Sequence, residues 1–240
     1  MRMMHIIAAL VLMSTPATSI AQEWIEFASR EDRFTSNFPG QPVVSETTWK
    51  SEYGADLKGR VYTARSGPGT YTVTAIDYAP VERILTEKSK TQCAIGAETC
   101  RGVAATGLGY WKNDVRGAVV YATWKLMERP DVKATHLMWN FMDLVAGQQV
   151  QLTNPDKSRT FASVYFHDNK LLIMEGTVPD GYPEPGLFQQ SLGWLDAEGR
   201  GIRYQFIYYS DPDLPKPALQ GRPATPAADQ GRISAPGAPQ

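Results

Sequence analysis

The sequence predicts an α+β fold, an antiparallel β-sheet packed against a few helices. From residue 24 to residue 78 apolar and polar side chains alternate with period two between turn residues, the pattern of half-buried antiparallel strands. A helical period then replaces it, with Val81, Ile84 and Leu85 at i, i+3 and i+4. Alternation returns after Arg116 and lasts to Tyr209, where the composition changes abruptly.

Strands are expected near residues 24–28, 33–38, 43–50, 57–64 and 70–78. Phe34, Ser36 and Phe38 alternate with Thr35 and Asn37 until Pro39-Gly40-Gln41-Pro42 stops the run. Tyr71, Val73 and Ala75 alternate with Thr70, Thr72 and Thr74, β-branched residues suited to a more exposed face. Pro80 opens a short amphipathic helix whose outer side carries Glu82, Arg83, Glu87 and Lys88. Cys93 to Gly109, rich in Ala, Gly and Thr, has no clear period and fits either more helix or a stapled loop.

Ala118, Val120, Ala122, Trp124 and Leu126 share one face of a further expected strand. Beyond a turn at Glu128-Arg129-Pro130-Asp131, Leu137, Trp139 and Phe141 form its hairpin partner, with Trp124 and Trp139 in the core. Val150 to Leu152 adds a short strand, and Phe161 to Phe166 pairs with Leu171 to Val178 across His167-Asp168-Asn169. A second helix, entered through Pro185, has the stripe Leu187, Phe188, Leu192 and Leu195. The last strand runs from Ile202 to Tyr209, with Ile202, Tyr204, Phe206 and Tyr208 on one face.

The chain divides into a signal peptide at residues 1–21, a single α+β domain at 22–210 and a disordered Pro/Ala-rich tail at 211–240. Arg2, the apolar run Ile6 to Met13 and the small residues Ser19 and Ala21 have the order that a signal peptidase reads, with cleavage after Ala21. The apolar run spans only ~12 Å as helix, against the ~30 Å of a hydrocarbon core. No later segment is apolar enough to cross a bilayer, so the product is expected to be periplasmic or secreted and free of integral membrane segments. Its tail would be a tether with a span on the order of 30 Å if coil-like.

Lys and Arg number 24 against 25 Asp and Glu, and loss of Arg2 takes the net charge from −1 to −2. That balance argues against nucleic acid as a partner. Cys93 and Cys100 are the only cysteines, and in an oxidising compartment they read as one disulfide. The loop it closes is short, so the chain-entropy model assigns it roughly 2.5 kcal/mol, and it pins a local excursion.

Trp24 and Phe27, followed by Phe34-Thr35-Ser36-Asn37-Phe38-Pro39-Gly40-Gln41-Pro42, resemble the opening of secreted bacterial proteins related to PsbP. Leu171-Leu172-Ile173-Met174-Glu175-Gly176-Thr177-Val178-Pro179, then Phe188-Gln189-Gln190-Ser191-Leu192, is similar to the closing strand and helix of such chains. The resemblance implies an α/β/α sandwich, a sheet packed between helices; members of that family mostly lack assigned chemistry, and the photosynthetic ones are extrinsic accessory proteins. These are packing motifs of strand aromatics and turn prolines, so they carry over fold and no functional residue.

After residue 21 only His136 and His167 remain, which narrows metal and general-base schemes. His136 lies opposite Leu137, Trp139 and Phe141 and reads as exposed; His167 reads as a turn residue beside Asp168. No H-E-x-x-H, Cys/His cluster or G-x-S-x-G is present, and Ser51 and Ser191 lack S-x-x-K. Glu31-Asp32 and Asp211 with Asp213 read as solvated carboxylates, and Gly107-x-Gly109 as a turn. No metal or cofactor is implied. Tyr110 and Trp111, beside Lys112 and with Trp49 and Tyr53 in a polar stretch, suit either core or a ligand or partner surface. The expected function is an exported non-catalytic protein that binds an envelope partner or a small ligand. The alternative is a periplasmic hydrolase, which needs a cleft joining a histidine to a serine and a carboxylate.

Overall fold

A computed structural model describes residues 23–92 and 110–221. The expected signal peptide, the expected Cys93–Cys100 disulfide, Gly107-x-Gly109 and residues 222–240 lie outside them. The N-terminal alternation forms β1 (Trp24–Ser29), β2 (Phe34–Pro39), β3 (Val43–Lys50), β4 (Asp56–Ser66) and β5 (Gly69–Asp77). Next come α1 (Val81–Gln92) and α2 (Tyr110–Met127), then β6 (Lys133–Met142), β7 (Val145–Thr153), β8 (Arg159–His167) and β9 (Lys170–Val178). The chain closes with α3 (Gly186–Gln189), β10 (Gly193–Leu195) and β11 (Gly201–Ile202).

These strands make a seven-stranded sheet in the order β3-β4-β5-β9-β8-β7-β6 and a four-stranded sheet in the order β1-β2-β10-β11, with all strand pairs antiparallel. The fold is therefore β-rich, which corrects the expected α+β class and its α/β/α sandwich. Helices cover one face of the large sheet, where Leu85 of α1 and Val115, Ala118, Ala122 and Leu126 of α2 meet Leu57, Ile76, Val164 and Leu171. The other face packs on the small sheet, through Phe34, Phe38 and Trp194 against Tyr71, Leu172 and Met174. β8 and β9, in the middle, are buried on both faces and read as near-continuous apolar runs.

Helix α2 replaces the strand expected at 118–126. Both periods place Ala118, Ala122 and Leu126 on one face; period two adds Val120 and Trp124, which the structure leaves exposed, and the helix buries Val115, Val119 and Thr123 instead. The segment Leu187–Leu195 is not one helix. A single turn, α3, seats Phe188, and Gly193 then starts β10, where a Cβ would lie 2.4 Å from the Thr35 hydroxyl on β2. The expected strand from Ile202 shortens to β11, after which Tyr204 and Tyr208 turn inward and Phe206 outward.

β6 is a strand where one was expected, but Leu137, Trp139 and Phe141 are exposed and not on a buried inner face, and its partner is β7, through a turn in which Asp143 and Leu144 have positive φ. It is the last strand of the sheet, and Trp139 is 66% exposed and Trp124 44%, so neither is the core residue expected. Residues 211–221, assigned by composition to the tail, lie along the body: Arg116 binds Asp211 and Asp213, and Leu219 bridges to Tyr204.

Phe188 is fully buried, with its ring 5.5 Å from Phe38 and 5.4 Å from Tyr71, and so joins the two sheets. Phe188→Ala should cost about 3–5 kcal/mol, read as a lower urea midpoint at unchanged m. A loss under about 1 kcal/mol would show that the small sheet is held elsewhere.

Candidate functional site

Two tight turns meet at one end of the sheets. The β1–β2 turn carries Glu31, Asp32 and Arg33, with Arg33 at φ 58°. The β8–β9 turn has Asp168 and Asn169 at φ 47° and 61°, both positive as a two-residue hairpin of the right-handed twist requires. The turns are cross-linked, for Arg33 pairs with Asp168 while Lys170, the first residue of β9, lies 3.6 Å from Asp32.

Asp32 is only 2% exposed, and both of its oxygens are occupied. Arg60 forks onto it, Nε donating to Oδ2 at 2.8 Å and Nη2 to Oδ1 at 2.6 Å, and the Tyr62 hydroxyl donates to Oδ2 at 2.6 Å. Ser29 Oγ accepts the Asp32 amide at 3.1 Å and lies 2.9 Å from the Tyr62 hydroxyl. Burial alone would raise the Asp32 carboxyl, but the hydrogen bonds from Arg60 and Tyr62 and the charges of Arg60 and Lys170 hold it below the ordinary carboxylate range. The Tyr62 phenol is pushed up to about 12, first by burial and then by its bond to Asp32. Asp32 is thus held in its ionised form by three hydrogen bonds and two neighbouring cations.

Above this cluster the small sheet stops short, and the exposed face of β3, β4 and β5 forms a cleft of about 690 Å³. Its walls include Glu46, Thr48, Lys58, Arg60, Asp77 and Lys170. Arg60 also reaches Glu31, and Lys170 lies 3.3 Å from Asp77. Glu46 stands directly across from Arg60, and Lys58 across from Thr48, two residues along. Neither Glu46 nor Lys58 forms an ion pair among the described residues.

The histidines lie elsewhere. His136 is exposed on β6 with Met138 Sδ 3.2 Å away. His167, expected in a turn, is the last residue of β8 and 2% exposed, its Nε2 2.8 Å from the Tyr204 hydroxyl and its ring 4.7 Å from Trp194 and 5.1 Å from Tyr208. Burial pushes its pKa down to about 4, with Lys216 and Arg33 adding to the drop and Asp168 opposing it. The ring is neutral at pH 7. Ser51 donates to Asp114, whose pKa burial raises to about 6, and no histidine joins them. Ser191 bonds Phe188 O and the Asn37 amide. Among the described residues no histidine, serine and carboxylate form a chain, and no three His, Cys, Asp or Glu side chains gather as metal ligands.

Tyr110 and Trp111 open α2, away from the charged cleft. Tyr110 is partly exposed with Tyr53 6.1 Å away, and Trp111 packs against the helix-side core and borders a smaller pocket with Asp168, Tyr208 and Lys216. The cluster around Asp32 was missed in the sequence, where Glu31-Asp32 read as solvated. The signal was on β4, where Lys58 and Arg60 share a face with Tyr62 and Ala64, placing two cations in line with core positions.

No family model matches the chain, and no curated protein matches it. Among solved structures it is similar to the solution structure of cyanobacterial PsbP from Synechocystis sp. PCC 6803, with 11% identity and a TM-score of 0.36 over 70% of this chain and 87% of that one. That neighbour is of the kind the two ends of the sequence resemble, and the likeness assigns no role to any residue. No helix among the described residues is long and apolar enough to cross a membrane.

His167 gives the fold a testable pH response. Its folded pKa of about 4 lies below the unfolded value of about 6.5, so its contribution is fully present above pH 6.5 and is lost as pH falls toward 4. The loss should be on the order of 3 kcal/mol, measured by urea unfolding across that window. His167→Gln should flatten the slope; equal slopes would mean that the imidazole charges inside the fold without penalty.

Proposed function

We propose that this chain is an exported, non-catalytic binding protein whose ligand is a small polar molecule carrying charge of both signs, held in the cleft of β3, β4 and β5. The supporting observation is the buried, ionised Asp32 clamped by Arg60 beneath an open cleft. A buried ion pair is often no more stabilising than apolar residues of the same volume, so stability alone does not account for one there. Recognition does, because the pair fixes Arg60 and Lys170 under the cleft while Glu46 and Lys58 are left to meet a ligand's ammonium and carboxylate. The volume suits a small molecule. Residues 1–21 deliver the chain to the periplasm or beyond, and the tail from 222 onward serves as a tether.

The test is thermal-shift and calorimetric titration of the exported protein with glycine betaine and the free amino acids, with sorbitol as the uncharged control. At least one zwitterion should raise the Tm, by the equivalent of about 2.7 kcal/mol at one hundred times its Kd, and sorbitol should not. Glu46→Ala and Lys58→Ala should each weaken that binding about tenfold or more and leave the ligand-free Tm nearly unchanged. A flat response to every zwitterion, or binding indifferent to both substitutions, would overturn the reading.

A further inference from the structure

The two edges of the large sheet are built differently. β3, at one edge, carries Glu46 and Lys50 within the strand and follows Pro42, the residues with which natural edge strands discourage pairing. β6, at the other, has ten residues, of which Lys133 is the only one with a permanent charge, and a bulge between Ala134 and His136 interrupts its first part. From His136 to Met142 it is regular and contains no Asp, Glu, Lys or Arg.

Both faces of this segment are open. Leu137, Trp139 and Phe141 are exposed on the side of α2, with Val120 and Trp124 of that helix also exposed, and Met138 is exposed on the reverse. Apart from the Phe141 amide, which donates to Asn140 Oδ1, a long apolar edge of this kind offers backbone groups that its own sheet does not pair, together with side chains that water solvates poorly. Such an edge is satisfied by another strand.

We propose that the strand is the β6 of a second copy of this chain, paired antiparallel about a two-fold axis so that the two seven-stranded sheets become continuous. Charge selects the copy and the direction. Lys133 stands at one end of β6 and Asp143, 3.7 Å from the exposed Arg203 of its own chain, just past the other, so an antiparallel pair brings the Lys133 end of each copy to the Asp143 end of its partner. A parallel pair would set like charge against like. The two-fold arrangement also consumes both edges at once and closes, where head-to-tail pairing would leave an edge open. With Lys133 opposite Asp143, Met138 lies on the axis and Leu137 of each copy faces Trp139 of the other, extending the apolar layer begun by α2. The charged cleft lies toward the opposite edge, so the interface stands or falls independently of it.

Sedimentation velocity of the exported protein between about 1 and 100 μM should show a reversible monomer–dimer equilibrium. Trp139→Lys should weaken it at least tenfold with an unchanged far-UV spectrum, since that side chain is exposed in the monomer. Lys133→Glu and Asp143→Lys should each weaken the dimer, and an equimolar mixture of the two variants should restore it, because every contact in the mixed dimer then joins opposite charges. Hydrogen exchange should show residues 136–142 losing protection in Trp139→Lys. A monomer throughout the range, a dimer indifferent to Trp139→Lys, or charge variants that weaken it without recovery on mixing would each overturn the proposal.

Discussion

Asp32 carries a charge into a place where almost no water reaches, and the arrangement of both sheets around that charge follows from the need to satisfy it. Arg60 can fork onto the carboxylate only if β4 presents its Lys58, Arg60 and Tyr62 face toward the β1–β2 turn, and a slip of one residue would turn all three away. The apolar contacts of Phe34, Phe38, Phe188 and Trp194 supply most of the attraction between the sheets, but oily surfaces tolerate several registers. The ion pair tolerates one. Asp168 and Lys170 repeat the constraint from the β8–β9 turn by pairing with Arg33 and Asp32, so the small sheet is held at its end by charges and along its length by aromatics.

Periodicity made much of this legible. The strands from Trp24 to Tyr78, the helix after Pro80 and the Phe161–Val178 hairpin are where alternation and turn residues place them, because each is decided by neighbours in sequence. The stretch 118–126 was not, since alanine fits both periods and only the packing of α2 on β7 and β8 separates them. Trp124 and Trp139 looked like core because large aromatics usually are; their exposure depends on β6 being an edge, a fact of strand order that no local pattern contains. The site was less legible than the fold. Asp32 sits in a turn and is buried by Arg60 and Tyr62 from β4, and His167 ends a hairpin strand and is buried by Trp194, Tyr204 and Tyr208 from the closing segment.

His167 shows how burial removes a residue from chemistry. With a hydroxyl at Nε2, aromatic rings around it and two cations nearby, its imidazole is held neutral, and protonation works against the fold. Ser51 is likewise spent on a buried carboxylate. This histidine and this serine are thus satisfied internally, whereas Glu46 and Lys58 face solvent in the cleft.

A binding site gains affinity when its groups are ordered before the ligand arrives, because the entropy of immobilising them is then lost in folding and not in binding. Arg60 is fixed by two bonds to Asp32 and a third to Glu31, and Lys170 lies between Asp32 and Asp77. Their charges are largely balanced where they stand, so they shape the cleft without strongly biasing its sign. Glu46 and Lys58, on neighbouring strands of a rigid sheet, then present one charge of each sign at a separation set by strand geometry. In the proposed binding role such a pair would discriminate by the distance between a ligand's own charges, and that distance is what β3 and β4 hold constant.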